Sequence, residues 1–159
     1  MKKRELPACA RGHFDQRQTF VALSHRKDDD WHHIAGEMIK HSPALHGVDT
    51  SELRDSVMEI SHNGALQLAT LISVGSLLYG PRSLPNHDHE RDTCLSRVLD
   101  CAGEGARYFT NHGEAEEGDE ADFLSSAFHA NTLADATIDV CLIGVSEDAV
   151  LILWRFEDD

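Results

Sequence analysis

Cations are scarce in this chain. Fourteen Lys and Arg stand against 28 Asp and Glu, a formal net charge of −14 over 159 residues. Phosphate backbones and anionic lipid surfaces are held largely by cationic side chains, so direct nucleic-acid binding and membrane attachment are disfavoured. A basic protein partner is favoured. Long hydrophobic runs are missing as well. The most apolar stretch, HNGALQLATLISVGSLLYGP (62–81), is interrupted by Gln67, Thr70, Ser73 and Ser76. A membrane-spanning helix needs about 20 predominantly apolar residues, so no span is expected. The opening MKKRELPACARGHFDQ is basic but lacks the apolar run of a secretory signal, which points to a cytoplasmic protein.

Cysteine is sparse and unpatterned. Cys9, Cys94, Cys101 and Cys141 include no C-x-x-C pair. Cys94 and Cys101 lie on one side of a predicted helix, too far along it to bridge. Thiols kept in a reducing compartment are the expectation. Catalytic signatures are missing too. No G-x-S-x-G elbow, G-x-x-x-x-G-K-[ST] loop or H-E-x-x-H helix occurs, and GEGAR (103–107) lacks the third glycine and preceding strand of a dinucleotide loop.

What is present suits one soluble domain. Hydrophobic residues make up 41% and charged residues 26%, as in ordinary globular chains. A chain of this size buries roughly 68–70% of its unfolded surface, enough to fold without staples. Residues 1–17 show no periodicity and read as a flexible arm, leaving 18–159 as a single domain. QTFVALS (18–24) reads as a strand. DWHHIAGEMIKH (30–41) carries Trp31, Ile34, Ala35 and Met38 at helical spacing, with Asp28, Asp29 and Asp30 placed to cap it. In VDTSELRDSVMEIS (48–61), Asp49 and Glu52 form a capping-box variant, and Leu53, Val57 and Ile60 make one helical stripe.

Residues 65–79 fit a buried helix ended by Gly80-Pro81, with a strand after an Asn63-Gly64 turn as the rival. HERDTCLSRVLDCAGEGARYFTN (89–111) reads as one helix whose apolar stripe runs from Leu95 to Phe109. HGEAEEGDEAD (112–122) is an acidic loop without an apolar anchor, and DFLSSAFHAN (122–131) reads as a short helix. TIDVCLIG and AVLILWRFE flank the turn VSED and predict a C-terminal β-hairpin. Ile138, Val140 and Leu142 would share its buried face with Val150, Ile152, Trp154 and Phe156, while Asp139 and Arg155 would pair across it. The predicted fold is α+β: central helices packed with a small antiparallel sheet that includes this hairpin.

Two histidine clusters offer metal chemistry. In LPNHDHERDTC (84–94), His87, His89 and Asp92 resemble part of the H-x-H-x-D-H element of metallo-β-lactamase-type zinc hydrolases. The aspartate falls one position late and no histidine follows it. A catalytic zinc usually takes three protein ligands, and the acids here are equally accounted for by a helix start. His33, Glu37 and His41, four residues apart, line one helix edge. The favoured expectation is therefore no cofactor. Zinc at His87, His89 and Asp92, in a small metal-dependent enzyme, is the alternative.

The acidity carries the functional expectation. Asp28–Asp30, the loop bearing Glu114, Glu116, Glu117, Asp119 and Glu120, and the terminal EDD (157–159) can steer a cationic partner. Such a field suits an immunity protein that neutralises a basic, nuclease-type toxin, its carboxylates standing in for phosphate. A DNA mimic would spread its acids along helices, whereas much of the acid here lies in loops. Protonating eleven histidines in mild acid would move the charge from −14 towards −3 (−14 + 11).

Overall fold

The computed structural model describes residues 5–26, 30–74, 76–77, 84, 87–125 and 129–158. Its five strands are β1 (Thr19–His25), β2 (Met58–Ile60), β3 (Arg107–Thr110), β4 (Ile138–Val145) and β5 (Ala149–Glu157). They form one antiparallel sheet in the order β1-β5-β4-β3-β2. Among the described residues, four α-helices flank it: α1 (Trp31–Ile39), α2 (Thr50–Ser56), α3 (His62–Val74) and α4 (His89–Asp100).

The α+β class and the terminal hairpin are as the sequence predicts, but the sheet's two faces are both covered. Leu142, Leu151 and Leu153 pack with Leu68, Ile72, Leu95 and Leu99 beneath α3 and α4. Cys141, Ile143, Ile152 and Trp154 pack with Ala35, Ile39, Leu45 and Leu53 on the other side. The expected face therefore mixes residues from opposite sides. Cys141 opposes Trp154 and Leu142 opposes Leu153, so Val140 and Leu142 look away from Trp154. Doubly buried strands read as continuous apolar runs, and alternation cannot then tell their faces apart. Asp139 and Arg155 likewise lie on opposite faces and do not pair.

The helix starts follow their caps. The Asp30 carboxylate accepts the His32 N–H at 3.0 Å, Asp49 that of Ser51 at 3.0 Å and Asp88 that of Arg91 at 3.1 Å. Ser61 Oγ accepts from Gly64 N at 3.0 Å, opening α3 where a hairpin turn was the rival. Ala65, Leu68, Ala69 and Ile72 of α3 are fully buried, a helical rather than alternating set.

Three predicted helices end early. The helix expected over 65–79 stops at Val74, with Ser76 and Leu77 outside it and Gly80-Pro81 outside the described residues. The helix after Asp49 stops at Ser56. Val57 is extended, and Met58–Ile60 becomes strand β2, paired with β3. The helix after Asp88 stops at Asp100. Gly103 and Gly105 then take φ of 103° and 71°, a backbone region open chiefly to glycine. The chain reverses there, and Ala106 and Phe109 leave the expected stripe. In the segment read as a helix over 122–131, Phe123–Ser125 form a turn, and 126–128 lie outside the described residues.

The segment read as an arm is tied down. Ala8–Gly12 form a 3₁₀ turn, Ala10 and Phe14 join the core beneath α4, and Cys9 is disulfide-bonded to Cys94. This corrects the expectation of four thiols. Cys101 and Cys141 alone keep theirs. The partners lie 85 residues apart, so only the folded topology brings them together.

At the other end, Glu157, expected among the acids that steer a partner, is buried. Arg155 Nε donates to its Oε2 at 2.8 Å, Leu77 N to the same oxygen at 2.7 Å, and Ser76 Oγ to Oε1 at 2.9 Å. Burial pushes the Glu157 carboxyl upward, but those donors outweigh it and hold its pKa below the ordinary value. Arg155 continues to the Ile72 carbonyl and to Gln18 Oε1, each at 3.0 Å. This network ties the end of α3 to β5.

Candidate functional site

The acidic segment 113–120 forms two short 3₁₀ turns, broken at Gly118 with φ 63°, beside β2. Three successive residues set its position. As β3 ends, Thr110 Oγ1 accepts the His112 N–H at 3.1 Å. Asn111 Oδ1 accepts from Cys141 N at 2.9 Å, and its Nδ2 donates to the Asn131 carbonyl at 2.9 Å. His112 Nδ1 then accepts the Glu114 N–H at 3.0 Å and caps the segment. The imidazole therefore does the work that Ser, Thr, Asp or Asn does at most helix starts.

Below this cap lies a buried polar node. Asp139, with no exposed surface, accepts from Trp154 Nε1 at 2.7 Å, Leu133 N at 2.9 Å and Asn111 Nδ2 at 3.3 Å. Burial raises its pKa, and those donors partly offset the rise. The node fastens the chain ahead of β4 to β3 and β5. Buried polar groups satisfied in this way specify a position, because breaking any one link leaves a costly orphan.

His112 is 2% exposed. Its ring meets Phe123 edge-on at 5.1 Å and His129 at 5.5 Å between centroids. Burial first, and then the neighbouring His129, lower its pKa to about 4, so it is neutral at pH 7. Gly113 N donates to the His129 carbonyl at 2.7 Å. A Cβ at Gly113 would stand 2.0 Å from His129 Nδ1, so only glycine fits beneath that ring.

On this anchor sit the acids. Glu116, Glu117, Asp119 and Glu120 are exposed. Glu114 is half-buried and its Oε2 accepts the Asp122 N–H at 3.3 Å. No Lys or Arg occurs between Tyr108 and His129. The segment is thus a patch of negative charge anchored at its start by His112 and Ala115. The expected loop without an anchor has one after all, supplied by His112 and by Ala115, which is 4% exposed. The Asn-His-Gly step ahead of the acidic run was its available signal.

The other named residues stand apart from this patch. Asp28 and Asp29 lie outside the described residues. Asp30 is engaged within the protein: Oδ1 meets His32 Nδ1 at 3.1 Å and Oδ2 accepts from Arg54 at 2.7 Å. His87 Nδ1 lies 3.0 Å from Asp92 Oδ2 on the surface, and His89 opens α4, exposed. His33, Glu37 and His41 do share one edge, lining a groove between α1 and β1 together with His25. Glu37 is bound there by Lys40 at 2.8 Å. Among the described residues, no three His, Cys, Asp or Glu side chains come together as a metal site.

Compared with protein-family models, curated proteins and solved structures, the chain matches none.

Proposed function

We propose that this is an acidic binding protein whose 113–120 segment captures a cationic protein partner. A basic toxin, nuclease-like in its phosphate-seeking surface, is the partner class, and the protein acts as its immunity factor. One observation carries the reading: four exposed carboxylates are held on a buried, hydrogen-bonded anchor with no cation nearby in the sequence. Pre-ordered acids lose little freedom on binding, and their summed field speeds the encounter.

The disulfide bears on where this happens. Cytoplasmic residence was inferred from the missing apolar run after the basic opening together with unpaired thiols, and the Cys9–Cys94 bond removes the second of these supports. Disulfides persist mainly in oxidising compartments, so the encounter belongs outside the reducing cytosol.

The test is capture from a native lysate with untagged protein, and metal analysis of the same sample. A stoichiometric basic protein is expected, released by salt and lost on neutralising the four exposed acids. Near-stoichiometric zinc with no bound protein, abolished together with an activity by His87→Ala/His89→Ala, would overturn the reading in favour of an enzyme.

A further inference from the structure

Strand β1 is the sheet's long open edge, and its backbone polarity can be assigned. Phe156 N donates to the Gln18 carbonyl and Arg26 N to the Asp148 carbonyl, each at 2.9 Å. These bonds bracket a ladder in which Phe20 opposes Trp154, Ala22 opposes Ile152 and Ser24 opposes Val150. Residues in hydrogen-bonded antiparallel pairs point both N–H and C=O at the partner strand, and the alternate residues point both away. Thr19, Val21, Leu23 and His25 therefore turn their backbone donors and acceptors outward. No other strand of the sheet pairs with that side among the described residues.

Open edges are usually blunted by charge, proline, brevity or a covering element. Here TFVALSH is seven residues long with no Lys, Arg, Asp, Glu or Pro. Two hollows flank it. One, of about 810 Å³, lies against the N-terminal segment and Phe14, and the other, of about 600 Å³, lies under α1 beside Ile34 and Met38.

We infer that the β1 edge pairs with β1 of a second copy, antiparallel about Ala22, to make a continuous ten-stranded sheet. In that register Val21 opposes Leu23 and Thr19 opposes His25 as hydrogen-bonded pairs, so every outward group is used. Ala22 meets its own copy at the closest approach, where a small side chain is required, and Phe20 faces the small Ser24. Apolar stands against apolar and large against small, with no like carboxylates or ammoniums opposed.

The acidic 113–120 segment does not oppose the pairing. The acidic segment lies by β2, four strand spacings from β1, or about 19 Å at roughly 4.8 Å per spacing. That exceeds the Debye length of about 8 Å at physiological salt. In the pair, the two acidic segments sit at the far ends of the joined sheet.

Sedimentation equilibrium of the oxidised full chain tests this. Wild-type protein should show twice the 17.6 kDa chain mass at micromolar concentration. Leu23→Pro removes an outward N–H and leaves the β1–β5 ladder whole, a placement edge strands tolerate. It should weaken the dimer on the order of tenfold or more, through two lost bonds and the ring's bulk. Ala22→Lys sets two ammoniums face to face and should do the same even if the proline variant folds poorly. A wild-type chain that sediments as a monomer throughout, or a dimer undiminished in folded variants, would overturn the inference.

Discussion

The two edges of the sheet are built on opposite plans. The β2 edge is three residues long, carries Glu59 bonded to Arg107, and has the 113–120 segment beside it. The β1 edge is seven residues long, uncharged, and bare of any further strand among the described residues. Charge and brevity make the first unable to accept a strand but able to attract a cation. Length and neutrality make the second the reverse. One domain can thus carry two kinds of surface because opposite ends of a sheet need not solve the edge problem alike.

The supports differ as well, which gives ways to break the comparison. On the β1 side, the N-terminal segment is stapled to α4 by Cys9–Cys94. Closing a loop of 85 residues limits the unfolded chain by about 4–5 kcal/mol in the chain-entropy account, with 2–5 kcal/mol the usual measured cost of removal. Cys9→Ser/Cys94→Ser should lose stability in that range by urea unfolding. A loss too small to measure would mean the N-terminal segment contributes nothing to the β1 side.

Trp154 lies on β5 next to the β1 edge, fully buried, with its indole N–H on Asp139. Trp154→Ala should cost about 3–5 kcal/mol, and it should slacken the acidic segment through Asp139 and Asn111 besides lowering the melting point. An alanine variant with near-normal melting would remove the node from the account of how the acids are held.

The β2 side should be acid-sensitive through His112. In the unfolded chain its imidazole takes a proton below about pH 6.5, whereas in the fold it stays neutral to about pH 4. The unfolded state then binds more protons, so stability is present above pH 6.5 and lost as the pH falls towards 4. The full difference is on the order of 3 kcal/mol. His112→Asn keeps a capping side chain and should flatten this part of the stability profile. An equally steep profile in the variant would place the acid sensitivity elsewhere.

Smallest of all should be Glu59→Gln. The Glu59–Arg107 pair is exposed on both partners, and pairs of this kind are screened and add little. No resolvable shift in the urea midpoint is expected. A large one would mean the β2 edge depends on this pair rather than on the segment beside it.

How much of this was legible depended on the range of the interaction. Asp30, Asp49 and Asp88 bond to amides two or three residues away, so their helix starts could be read from spacing. The hairpin was equally local. Its faces were not, because β4 and β5 are apolar on both sides and only α1 to α4, arriving from elsewhere, distinguish them. The end of the helix at Asp100 was signalled by Gly103 and Gly105, but the apolar stripe through Ala106 and Phe109 concealed it. The Cys9–Cys94 bond, the Asn111–Asp139 bond and the packing of His112 against His129 join residues far apart in the chain, and the local Asn-His-Gly step only hinted at the last two. In the acidic segment the charges themselves were legible. The mount beneath them was not.

That mount and its charges make the central claim, and association kinetics tests it most directly. The rate at which the captured basic partner binds should be measured from low to physiological salt. The comparison is wild type against Glu116→Gln/Glu117→Gln/Asp119→Asn/Glu120→Gln. The account predicts a steep fall with salt for wild type and a slower, nearly salt-independent rate for the variant, with dissociation little changed. Equal association rates at low salt would contradict it and remove the acidic segment from the interface.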